Sequence, residues 1–113
     1  MRQIFISLIA VFIAGCASTP SELVTGGSDL SLHSKKSAKN VAMCIYLKWE
    51  DTRGVVVSQR ETTTGYRILI NRESELGQMV DVDQLKDGAS TKFYNRHLVI
   101  GGNPWKDAVI ECQ

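Results

Sequence analysis

Residues Ile4 to Ala14 are apolar at every position except Ser7. This run of eleven residues falls well short of the roughly 20 that cross a hydrocarbon core as a helix. Arg2 precedes it and no acid does, which is the layout of a secretory signal, a charged n-region and then an apolar h-region. A core helix can also be apolar all round, but Arg2 and the place of the run at the start of the chain point to a signal. A segment of this kind is removed rather than packed, so the fold has to be made by the residues beyond it.

The run stops at Ile13-Ala14-Gly15-Cys16. An aliphatic residue, two small residues and a cysteine in this order resemble the lipobox of bacterial lipoproteins. The resemblance covers about the first 16 residues. It implies cleavage after Gly15 and a diacylglyceryl thioether on Cys16, whose thiolate is the natural nucleophile for such a bond. Two or more acyl chains anchor stably where one is marginal. Within that family an aspartate after the cysteine favours retention at the inner membrane. Ala17 stands there instead, so the expected location is the outer membrane, anchored by lipid and facing the periplasm.

With residues 1–15 removed, the loss of Arg2 takes the formal charge from +1 to 0. A neutral domain has no electrostatic footprint for nucleic acid, and its membrane association has to come from the lipid. Residues 16–36, with Pro20, Gly26, Gly27 and many serines, read as a lipidated flexible tether. The globular domain is then 37–113, small enough for a covalent staple to matter. If Cys16 carries lipid, Cys44 and Cys112 remain, an even pair in an oxidising compartment, and a disulfide between them is expected. There is no CxxC for redox work and no nearby Cys/His group for zinc. A nucleophilic Cys44 would need a base, and no local motif places His33 or His97 beside it.

The expected fold class is α+β: an N-terminal helix packed on a four-stranded antiparallel meander, with a short C-terminal helix. After Ser34 or Ser37 as cap, Ala38, Val41, Ala42, Ile45 and Trp49 fall on one helical stripe, with Cys44 on its flank. Met43 and Leu47 fall on the opposite side. They either pack under another element or form a patch for a partner. Thr52-Arg53-Gly54 ends the helix. "VVVSQRETTTGYRILINR" reads as a hairpin turning near Thr63-Thr64-Gly65, and "MVDVDQL" places Val80 and Val82 inward and Asp81 and Asp83 outward. Lys86-Asp87-Gly88 is a turn, and "STKFYNRHLVI" makes the fourth strand. Asn103 and Pro104 open the last helix, with Trp105, Ala108, Val109 and Cys112 on its inner side.

Each place that could carry chemistry has a plainer reading. Asp81 and Asp83 stand about 7 Å apart by strand geometry, a separation open to glycoside hydrolysis. Alternation puts both on a solvated face, where Arg67 and Lys92 or Arg96 can pair with them. His97 has no orienting acid or nucleophile in a local pattern. Gly101-Gly102-Asn103-Pro104 fits neither GxGxxG nor a P-loop and reads as a turn and cap. Trp49 and Trp105 could stack on sugars but fall on apolar helix faces. No catalytic residue, metal site or cofactor is expected.

The order of elements, with one cysteine in each helix, is similar to that of small uncharacterised lipoproteins of Gram-negative envelopes, a likeness that carries no site. The expected function is a non-enzymatic lipid-anchored envelope protein that binds another envelope protein or supports an assembly, with Met43 and Leu47 as its partner patch. The alternative is a periplasmic inhibitor of a wall-degrading enzyme. The lysozyme-inhibitor lipoproteins are similar in size, anchor and late cysteine. They differ in having a barrel-like first half, and their inhibitory loop motif has no match in this chain.

Overall fold

A computed structural model describes residues 20–52, 55–72, 75–95 and 103–113. The elements are α1 (Pro20–Thr25), β1 (Leu30–Ser34), α2 (Ala38–Glu50), β2 (Val56–Glu61), β3 (Gly65–Arg72), β4 (Glu75–Leu85), β5 (Gly88–Asn95) and α3 (Pro104–Glu111). The strands form one antiparallel sheet in the order β1-β5-β4-β3-β2. The α+β class is as the sequence implies, with five strands rather than four.

The additional strand, β1, lies inside the stretch 16–36 that reads as tether. Its two leucines sit among serines and glycines, too few to announce a strand. Pairing decides it, because Leu30 registers with Phe93 and Ser34 with Ala89, and the β5 edge supplies the partners. The helix α2 is therefore preceded by α1 and β1 rather than being the first element.

Ser37 caps α2, its hydroxyl accepting from the Asn40 N–H at 3.2 Å. The Ala38 N–H, another free donor of the first turn, reaches Gln84 Oε1 at 2.8 Å and ties the helix start to β4. Lys48 lies in the last turn, where a cation suits the helix dipole. At α3, Asn103 accepts from the Lys106 N–H at 3.2 Å with Pro104 behind it, as its sequence implies.

The stripe read from the sequence is the buried one. Ala38, Val41, Ala42, Ile45 and Trp49 pack on Ile68, Ile70, Val80, Val82, Ala89 and Phe93 of the sheet and on Trp105, Ala108, Val109 and Cys112 of the last helix and its cap. Trp49 is the hub. Its ring meets Phe93 and Trp105 edge-on, each at 6.2 Å between centroids, and its indole N–H donates to the Trp105 carbonyl at 3.1 Å. That bond removes the cost of burying a polar N–H.

A second, smaller cluster lies on the other face of the sheet: Leu69, Leu76, Met79 and Tyr94, all buried. Helix α1 packs on β4 and β5. Met79 and Tyr94 belong to those two strands and turn away from α2. The register of β3 on β4 shifts between Ile70 and Asn71. Just before that shift Gln78 stands opposite Ile70, in phase with Val80 and Val82. It is fully buried, and its amide donates to Asn95 Oδ1 at 2.9 Å.

Gly88 closes the β4–β5 hairpin at φ 146°, and a Cβ there would stand 1.9 Å from the Ser34 carbonyl oxygen. Only glycine lets β5 begin this close to the end of β1.

Candidate functional site

Two surfaces concentrate groups available to a ligand or partner, one on each side of the molecule. The first is the outward side of α2. Helical period places Met43 and Leu47 opposite the buried stripe, and they stay open to solvent: Met43 is 50% exposed and Leu47 58%. Side chains this apolar and this bare are the more informative kind of exposure when they stand together. Beneath them Cys44 is bonded to Cys112 with 5.7 Å between their Cα atoms, fastening α2 to the end of α3. Lys48 Nζ meets Glu111 Oε2 at 3.1 Å across the same two helices. Both partners are largely in water, so this pair adds little stability and mainly sets the polar rim. Leu47, Lys48, Glu50 and Asp51 line an open depression of about 410 Å³. On α3, Ile110 is also exposed.

The second surface is the sheet face turned away from α2. Alternation places Arg67, Asp81, Asp83, Lys92 and His33 there. Arg67 stands opposite Asp81, and Asp81 opposite Lys92. The Arg67 guanidinium grips the Asp81 carboxylate with both prongs, at 2.6 and 2.9 Å. That hydrogen bond holds the Arg67 pKa above its ordinary value. Asp83 accepts from the Thr64 hydroxyl at 2.6 Å. Asp81 is thus committed to the neighbouring strand, the cross-strand role that the sequence favours over paired acid catalysis, and Asp83 to the β2–β3 turn. Nearby, burial raises the Tyr94 pKa and the Asp81 charge adds to the effect. At the turn end of this side, His33, Ser34, Lys35, Leu85, Lys86 and Asp87 surround an open hollow of about 460 Å³.

The remaining residues singled out from sequence divide between the core and the stretches outside the described residues. Gly15 and Cys16 lie outside the described residues, as do His97, Gly101 and Gly102. Trp49 and Trp105 are core residues, at 1% and 4% exposure, with no face for a sugar. Among the described residues no group of three His, Cys, Asp or Glu could hold a metal ion, and no helix is long and apolar enough to cross a membrane. Sequence reasoning missed the second apolar cluster. Leu69 and Met79 were legible as apolar, but each sits on the polar phase of an alternating strand. It also missed Gln84, whose amide receives the α2 N-terminus and donates to the Leu85 and Gly88 carbonyls at 2.7 Å each.

No protein-family model, curated protein or solved structure matches this chain.

Proposed function

We propose that this chain is a lipid-anchored, non-enzymatic protein of the bacterial outer membrane, periplasm-facing, whose disulfide-clamped domain binds another envelope protein through the outward side of α2. The observation that carries the binding role is the bare pair Met43 and Leu47 on a helix whose opposite side is fully packed. The anchor rests on Ile13-Ala14-Gly15-Cys16. The Cys44–Cys112 bond supports an oxidising compartment, since such bonds persist there and are rare elsewhere.

Two measurements test the reading. Intact mass of protein purified from membranes gives residues 16–113 plus acyl chains, and gains two hydrogens on reduction. An unacylated chain with free thiols overturns both anchor and compartment. For the partner, a photoreactive residue at Lys39 or Glu50, flanking the patch, cross-links one envelope protein in cells. The double variant Met43→Glu/Leu47→Glu keeps the wild-type melting temperature and loses that product. Cross-linking that survives the double variant removes the patch from the reading.

A further inference from the structure

Three charges on α2 are placed against the helix's own field. A helix N-terminus favours anions and its C-terminus cations. Yet the first turn of α2 holds no acid and carries Lys39, while Glu50 and Asp51 stand at its far end. Lys48 follows the rule and is paired with Glu111. The three reversed charges are all exposed and stand on either side of the bare pair Met43 and Leu47. The outward side of α2 thus runs from basic, through apolar, to acidic along a helix of 13 residues, about 20 Å. A surface in that order is complementary to its own reversed copy.

Helical period sharpens the match. Lys39 and Glu50 stand eleven residues apart, about three whole turns, so they lean to one flank of the Met43–Leu47 line. Asn40 and Asp51 have the same spacing and lean to the other flank. The midpoints of all three pairs fall near Ile45. A two-fold axis level with Ile45, normal to the plane of two antiparallel helices, keeps each flank on its own side. It sets Met43 against the partner's Leu47, Lys39 against the partner's Glu50 and Asn40 against the partner's Asp51, and it makes each contact twice.

Resting on the reading that the outward side of α2 is a binding surface, we propose that its partner is a second copy of this chain, docked α2 on α2 in antiparallel order. Leu47, Lys48, Glu50 and Asp51 line an open depression, and the partner's Met43, unbranched and adaptable, is the side chain that fills it. The Tyr46 hydroxyl donates to Glu50, which holds the tyrosine pKa above its ordinary value. A neutral donor does not cancel the carboxylate charge, so Glu50 still attracts the partner's Lys39. Each end of α2 then meets the charge that its dipole favours, supplied by the other copy.

The test is charge exchange, read by cross-linking of the lipidated full chain in cells. A photoreactive residue at Asn40 is activated and the products are mapped by peptide mass. The expected product is two copies joined between position 40 and the Glu50–Asp51 end of α2. Lys39→Glu and Glu50→Lys each lower that product several-fold, because either change sets like charges against each other twice. Co-expressing the two variants restores it, as does combining both changes in one chain. Each swap also puts at its helix end the charge preferred there. The melting temperature therefore does not fall, which separates lost pairing from lost folding. Yields that ignore the swaps, or that fail to return in the mixture, overturn the antiparallel pairing. A product with a different protein overturns the second copy and leaves α2 as a binding surface. No product with any protein overturns both readings.

Discussion

Tyr94 shows what a single buried side chain adds to this fold and when it stops adding it. It lies at 5% exposure in the cluster with Leu69, Leu76 and Met79, near the Arg67–Asp81 pair, and burial lifts its pKa above the ordinary tyrosine value. The folded protein thus keeps the phenolic proton after the unfolded chain has released it. The associated stability is complete below about pH 10, the ordinary value, and is lost as pH rises through the folded one. The expected outcome is a melting temperature that falls on the alkaline side of about pH 10, with Tyr94→Phe flattening that limb. An unchanged slope in the variant would assign the alkaline loss to other groups. Arg67 and Asp81 illustrate the complementary point. A bidentate pair between adjacent strands fixes geometry as well as charge, which leaves neither group free for chemistry.

At the scale of an element, α2 carries two unlike faces at closely spaced positions. Ile45 is fully buried, and Ile45→Ala is expected to cost about 2–5 kcal/mol. Leu47 is mostly in water, and Leu47→Ala is expected to change stability by less than about 0.5 kcal/mol. Chemical denaturation of the two variants measures the contrast, and a large loss at Leu47 would mean that it packs rather than waits for a partner. The buried face was legible in the sequence because the sheet and α3 both meet α2 on one side, so its 3.6 period is undisturbed. The exposure of Met43 and Leu47 was not, because cover depends on where α3 and the strands come to rest. β1 was hidden for a different reason. Leu30 and Leu32 are all the apolar signal it has, and an edge strand this short is made by its neighbour's free backbone groups rather than by its own pattern. In β4 the sequence pattern marks a strand from Met79, whereas the strand begins at Glu75, because the register shift at Ile70 and Asn71 breaks the alternation that sequence reading depends on. Of the candidate site, the Cys44–Cys112 pair was readable once Cys16 was set aside as the expected lipid site.

For the molecule as a whole, the Cys44–Cys112 bond closes a loop of sequence separation 68, and the chain-entropy relation puts its worth at about 4 kcal/mol. Cys44→Ala/Cys112→Ala is expected to lose an amount of that order in denaturant unfolding, with circular dichroism of the native state unchanged. A loss near zero would mean that the cluster between the helices and the sheet holds the two helices together unaided. The same bond has a mechanical meaning. α1 and β1 lie ahead of Cys44 in the chain, and β1 is attached along one edge only. A load drawn between the two ends of the chain runs through the β1–β5 ladder and peels it before it reaches Cys44. Extension then halts at the covalent ring, which withholds about 230 Å of contour length from anything pulling on the protein. The elements ahead of Cys44 yield to such a load, and the residues between Cys44 and Cys112 do not.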